Sequence, residues 1–297
     1  MSGIQPTLDE IAALWRAAWP ERTPHPRGLA ARLADPGEWL WRRGPSGDLI
    51  AFAACRRPES HPHGHLRLLL VHPDHQRRGL GRDLVAEGRD RLGGVPLALG
   101  EERGHFFPGA PAESLPFWEA VGFARTGRES VDMRRDLRGL DPEALPAPYR
   151  LTDAREAGVL GGVLALTDAV FSPRWTYDAR AVGALAPWQV LALCREGEVL
   201  GFALTGTEDD PAILPSFLYP EALRRGLPEA ALVGGLGPVG LHPDLRGSGL
   251  GRGLMLAAIS RLRERGVEVM GIDWTGIGPF YEKLGFAVWT RAYHLRG

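Results

Sequence analysis

The chain has 297 residues but only two cysteines, Cys55 and Cys194, and a single lysine, Lys283. Two thiols cannot build a disulfide framework or a four-ligand metal site. Both stand in strand-like runs, which favours buried free thiols. No apolar stretch approaches the roughly 18 to 20 residues a membrane-spanning helix needs. The opening residues, MSGIQPTLDEIAALW, lack a basic start followed by an apolar run, so no signal peptide is expected and the protein reads as cytoplasmic. Charge of one sign is missing too: 35 basic and 36 acidic residues leave a formal net charge of −1. That balance, with no sustained basic run, provides no field to draw nucleic acid or an anionic membrane.

What is present is a globular composition, 44% apolar and 24% charged, in a length that fits two domains with a core each. The residues also repeat. VHPDHQRRGLGRDL at 71–84 returns as LHPDLRGSGLGRGL at 241–254, and FWEAVGF at 117–123 returns as FYEKLGF at 280–286. Two paired motifs in the same order imply a duplicated domain. We expect domains at 1–137 and 149–297, joined by a proline-rich linker at 138–148.

Each half reads as an alternation of helices and strands. Thr7 and Glu10 have capping-box spacing, ahead of Leu8, Ile11, Leu14 and Trp15 on one helical face. Residues 38–43 and 49–55 form a hairpin, and 67–71 is an apolar strand buried on both faces. A helix over 81–92, a strand at 95–99 and a short aromatic helix follow. In the second half a helix is expected near Asp153, with Glu156 at capping-box spacing, then a hairpin (188–194 and 198–204), a helix (250–265) and a strand (267–273). The second half carries about 20 extra residues between 206 and 235, read either as a wall of an acceptor site or as a disordered excursion.

The chemistry lies in QRRGLG (76–81) and RGSGLG (246–251). Each follows a strand and opens a helix. Glycine permits positive φ, and the unpaired first-turn N–H groups favour phosphate oxygens. Neither loop has the Gly-Lys-Ser/Thr of a P-loop. Neither completes G-x-G-x-x-G, because Leu84 and Arg252 stand where the third glycine belongs.

With the preceding strand, the His-Pro turn and the downstream aromatic helix, these loops resemble the acyl-CoA signature Q/R-x-x-G-x-G/A of the GCN5-related N-acetyltransferases (GNAT). The resemblance covers nearly the whole chain. It implies an α/β fold with a mixed sheet in each of two tandem GNAT domains. It also implies acetyl-CoA, held in the second half by Val239, Gly240, Leu241, Arg246, Gly247, Ser248, Gly249, Leu250, Gly251 and Arg252. In the first half the counterparts are Leu70, Val71, Gln76, Arg77, Arg78, Gly79, Leu80, Gly81 and Arg82. The strand before each loop is expected to splay from its parallel neighbour, so that residues 236–241 and 66–71 line the pantetheine arm. Pro238 fits a bulge there, since proline removes a ladder donor.

GNAT enzymes that resemble this chain often use a tyrosine of the aromatic helix as general acid. Tyr281 matches, whereas the first half has Trp118, an N–H donor that does not titrate. Catalysis is therefore expected in the second half, with the first weak or binding-only. For the general base two candidates stay open, Asp273 after the second strand and Glu221 in the extra residues. Glu101 and Glu102 take a comparable place in the first half. The triplet His61, His63 and His65 reads as a solvated turn and no metal is expected. His72 and His242 read as turn residues.

The expected activity is transfer of an acetyl group to a primary amine of a small molecule. The tandem arrangement is similar to that of mycothiol synthase and of some aminoglycoside and other small-amine acetyltransferases. A non-catalytic acyl-CoA-binding protein is the competing class. No nucleic-acid or membrane partner is expected, and the duplication suits a monomer with an internal pseudo-dimer, or a homodimer.

Overall fold

A computed structural model describes residues 4–58, 62–101, 105–139 and 145–297 of the chain. Among them two compact units separate. The first holds the residues up to Asp132 together with Trp274–Gly276 and Thr290–Gly297; the second holds Met133–Asp273 and Ile277–Trp289. The division differs from the contiguous one expected, because the end of the chain pairs inside the first unit. Leu97 and Gly297 exchange backbone hydrogen bonds, and Arg296 stands opposite Ala98. Of the expected linker, residues 140–144 lie outside the described residues. Leu145 packs with Leu250 and Leu254 of the second unit.

In chain order the first unit comprises α1 (Leu8–Ala18), α2 (Pro26–Ala34), β1 (Glu38–Arg43), β2 (Leu49–Arg56), β3 (Gly64–Val71), α3 (Leu80–Arg91), β4 (Leu97–Leu99), α4 (Leu115–Ala120) and most of β5 (Ala124–Asp136). The second comprises β6 (Arg150–Asp153), α5 (Val159–Val170), α6 (Pro173–Leu185), β7 (Val190–Arg195), β8 (Glu198–Thr207), α7 (Pro220–Arg224), β9 (Leu232–Leu241), α8 (Leu250–Glu264), β10 (Val267–Thr275, as far as Asp273) and α9 (Gly278–Glu282). The final strand, β11 (Ala287–Arg296), starts in the second unit and ends in the first.

The repeat is visible in the pairing. In the first unit the strands run β1-β2-β3-β4, followed by the end of β11 and then β5; in the second they run β10-β9-β8-β7-β6. Within each unit a meander of antiparallel strands (β1-β2-β3; β6-β7-β8-β9) meets one parallel pair, β3 with β4 and β9 with β10.

Local sequence explains the boundaries. Thr7 and Glu10 close the expected capping box on α1 at 3.2 and 2.8 Å, a cap worth about 1 kcal/mol. Ile11, Leu14 and Trp15 are the buried face of that helix. The helix expected near Asp153 begins later. Gly158, with φ 82°, stands before Val159, and Glu156 is bound to Arg150 and Thr152 instead of a helix N-terminus. The first core gathers Leu66, Leu84, Val85, Leu97 and Trp118; the second gathers Val163, Val190, Phe202, Phe217 and Val269. Each such apolar side chain, fully buried, contributes roughly 1.5–3 kcal/mol. Cys55 and Cys194 are buried within these cores and form no disulfide.

The extra residues of the second half are ordered. Leu214, Phe217, Leu218, Tyr219 and Leu223 are buried. Asp210 anchors their start, accepting from Trp188 Nε1 (3.0 Å), Arg265 Nη2 (2.7 Å) and the Thr207 amide (2.8 Å). Ser216 rests on the sheet where Gly235 and Gly271 leave room. A methyl group on Gly235 would lie 2.7 Å from Ser216 Oγ, and one on Gly271 would strike the Ser216 carbonyl. The segment packs as a wall against β9 and β10.

No described helix is long and apolar enough to cross a membrane.

Candidate active site

The two glycine loops share one backbone shape. His72 and His242 each accept the amide of the residue two ahead, Asp74 at 3.3 Å and Asp244 at 3.4 Å, and so cap a one-turn 3-10 segment. Both histidines thus act in the turn. The chain then takes positive φ twice, at Arg77 (59°) and Gly79 (85°) in the first copy and at Gly247 (79°) and Gly249 (85°) in the second. The first helical returns are Asp83 to Gly79 and Gly253 to Gly249, so the amides between them lie outside the helical ladder, and in the second copy Leu250 N–H donates to Ser248 Oγ at 3.4 Å. In the second copy Ser248 Oγ donates to Leu245 O at 2.6 Å and tightens the loop.

The splay is present in both units. β10 pairs with β9 from Val267–Leu232 to Ile272–Leu236 and no further. β9 continues alone against β8, where Ala203 meets Val239 and Thr205 meets Leu236. Gly237 and Pro238 therefore bulge opposite Leu204, as the proline predicted. Gly237 has φ 150°, which only glycine adopts without strain. In the first unit β4 pairs with β3 only over Gly64–Leu97, His65–Ala98 and Leu66–Leu99, and Arg67 is the bulged residue.

Asp273 directly follows the last paired residue of β10. Its Oδ1 lies 3.1 Å from where a methyl group on Gly237 would be, so the carboxylate sits in the fork of the second splay. Tyr281 comes from α9 and is only 5% exposed. Burial and the negative charge of Asp273 push its phenol up to about 12. A carboxylate and a protonated phenol thus come within electrostatic reach of one another.

The other candidates lie elsewhere. Glu221 is on α7 with an exposed side chain bound to Arg224 at 2.6 Å. Glu102 and His61 fall outside the described residues. Strand register pairs Gly100, not Glu101, with Asp273; Glu101 corresponds to Trp274, and both take positive φ (55° and 44°). Burial works against ionisation at Glu101, but its hydrogen bond to His294 and the charges of His294, Arg128 and Arg296 hold the carboxyl below its usual range. His65 is buried and its Nδ1 contacts Gly100 O at 2.8 Å, so the histidine triplet is not simply a solvated turn. Among the described residues no three His, Cys, Asp or Glu side chains gather as a metal site.

Sequence reasoning did not single out Gly237, Arg67 or the contact of Phe117 with Gly81. The signal was available: aligned on their His-Pro turns, the two halves place Arg67-Leu68 against Gly237-Pro238.

A family model described as the acetyltransferase (GNAT) family matches residues 5–95 and 163–286. The mycothiol acetyltransferase of Thermobispora bispora is 30% identical over 275 residues, 88% of this chain and 85% of its own. That of Salinispora tropica is 28% identical over 96% of this chain and 91% of its own. Among solved structures, a tandem GNAT protein from the clavulanic acid biosynthesis pathway superposes with a TM-score of 0.68 at 19% identity, over 98% of this chain and 94% of that one. A GCN5-related glucosamine N-acetyltransferase region of a fungal multi-domain enzyme gives 0.82 at 20% identity, over 98% of this chain and 37% of that one. The structural likenesses carry the fold.

Proposed function

The chain belongs to the acetyltransferase (GNAT) family, with two such regions in tandem, and from that premise we propose that its second unit transfers acetyl from acetyl-CoA to a primary amine of a small molecule. The observation that carries this reading is the Asp273–Tyr281 pair at the fork of β9 and β10. The glycine loop fits the coenzyme, since Gly247 and Gly249 take positive φ and a methyl group on Gly251 would meet nothing within 4 Å. Arg246–Arg252 would hold the pyrophosphate on loop amides and the α8 N-terminus. Val239–Leu241 would face the pantetheine arm. When bound, the thioester supplies an acetyl group ready for aminolysis.

The residues then divide the proton work. Asp273 is partly exposed and takes the proton of the incoming amine. The nitrogen bonds to the acetyl carbon, the carbon–sulfur bond breaks, and Tyr281 gives its phenolic proton to the departing sulfur. The two steps are coupled. While Asp273 is charged it strengthens the hold of Tyr281 on its proton. Once Asp273 is protonated that hold relaxes, so the phenol becomes a stronger acid at the moment the thiolate leaves. Exposed Glu221, tied to Arg224, supports Asp273 as the better base.

The names of the relatives support a mycothiol-type amine as the finer acceptor reading. The test is steady-state turnover of acetyl-CoA against a panel of small primary amines, cysteinyl sugars included. Asp273→Asn is expected to lower kcat by roughly 10²–10⁴-fold, and Tyr281→Phe to lower it less while removing the alkaline limb of the pH profile. Turnover unchanged in both variants would remove the acid–base assignment. Coenzyme binding without turnover of any amine would leave the acyl-CoA-binding class.

A further inference from the structure

The two coenzyme clefts are not equally open. In the second unit the bulged residues Gly237 and Pro238 are both partly exposed along the splay. Their counterparts in the first, Arg67 and Leu68, are 3% and 2% exposed. From the bulge the Arg67 side chain packs against the end of α2 and Phe106: Nη1 donates to Arg32 O at 2.8 Å, and the group lies 3.8 Å from Asp35 and 5.9 Å from the Phe106 ring. Gly100 stands where the second fork has Asp273, and a methyl group there would strike the Phe107 carbonyl. Phe106 and Phe107 are held in turn by Trp15 (5.2 and 5.7 Å), and Phe107 stacks on Trp19 at 4.7 Å.

The helix end of the cleft differs in the same sense. A methyl group on Gly81 would lie 3.1 Å from the Phe117 ring and 3.8 Å from Leu69, whereas one on Gly251 would meet nothing. Phe117 of α4 therefore leans onto the first turn of α3, where a pyrophosphate would rest. Its neighbour Trp118 donates Nε1–H to Ser114 Oγ at 3.0 Å, so the group in the place of the Tyr281 hydroxyl is spent within its own turn.

We propose that the first unit's coenzyme cleft is filled by its own side chains, Arg67 at the fork and Phe117 over the loop, so that the chain takes one acyl-CoA and not two. The inference rests on the acetyl-CoA reading of the second unit. It revises the expectation that both glycine loops hold coenzyme: the first keeps the backbone of a cradle, with Arg77 bearing a positive φ, while the space above it has become core.

The test is calorimetric titration of the full chain with acetyl-CoA, with Gly251→Trp and the exposed Arg246→Glu beside it. One site per chain is expected. Gly251→Trp should abolish it, and Arg246→Glu should weaken it about tenfold or more. Melting curves establish that both variants are folded. Two sites in the wild type, or one site that survives both substitutions at unchanged affinity, overturns the proposal. No site in the wild type overturns the coenzyme reading of the second unit and leaves the first cleft closed, so the two failures are distinguishable.

Discussion

Raising the pH from 8 to 11 puts the buried phenol of Tyr281 under direct stress. Its ionisation is pushed up to about 12 by burial and by Asp273, against about 10 for an unfolded tyrosine. The folded state thus holds the proton more tightly than the unfolded one. That contribution is complete below pH 10 and is lost as the pH climbs through about 12. At pH 11 the unfolded phenol is about 90% ionised and the folded one about 10%, a loss of about 1 kcal/mol. The full loss above pH 12 is about 3 kcal/mol. With only 5% of Tyr281 exposed, solvent screening discounts this little. Tyr281→Phe cannot ionise, so its stability should fall less over the same interval. Urea unfolding of both proteins at pH 8 and pH 11 measures the difference, and ultraviolet titration of tyrosinate should show a late-ionising component that Tyr281→Phe removes. Equal losses in wild type and variant would refute the burial and charge argument.

Two further perturbations follow from the geometry. Gly237→Ala places a methyl group 3.1 Å from Asp273 Oδ1 at a φ of 150°, and should cost about 1–3 kcal/mol and displace the carboxylate. Thermal melting and kcat should fall together, and a variant with normal turnover would remove Gly237 from the fork. Asp210→Ala strips partners from Arg265, Trp188 and the Thr207 amide and should cost about 3 kcal/mol, read from urea midpoints. Burial opposes ionisation at Asp210, but Arg265, Trp188 and the Thr207 amide hold its carboxyl below the usual range. Its stabilisation is therefore present above the unfolded carboxylate range and lost as the pH falls through the lowered value. Acid unfolding of the variant should be shallower than that of the wild type.

The parts of the fold that repeat were the legible parts. The His-Pro turns, the glycine loops and the aromatic helices recur in order, and Pro238 marked the bulge because a missing N–H has few places in a strand. Tyr281 stood out because the matching position holds Trp118. The fork was harder to read. Between the loops and the next strands the correspondence slips by three residues, so Glu101 looked like the mate of Asp273 while strand register gives Gly100. The helix expected at Asp153 failed because one carboxylate at capping-box spacing also suits an ion pair, and Arg150 took Glu156. The filling of the first cleft lay beyond periodicity. Arg67 and Phe117 are ordinary residues in the sequence and acquire meaning only against Gly237 and the open space over Gly251.

The return of Thr290–Gly297 to the first unit governs how the protein can be made and cut. During synthesis β4 emerges nearly two hundred residues before Arg296 and Gly297, which pair with it, so one edge of β4 must wait until those residues have been made. A fragment ending at residue 137 would carry every helix of its unit yet lack the strand between β4 and β5, and would present two bare edges for aggregation. Cleavage just before Thr290 would separate that strand from the rest of the polypeptide while leaving Asp273 and Tyr281 in place.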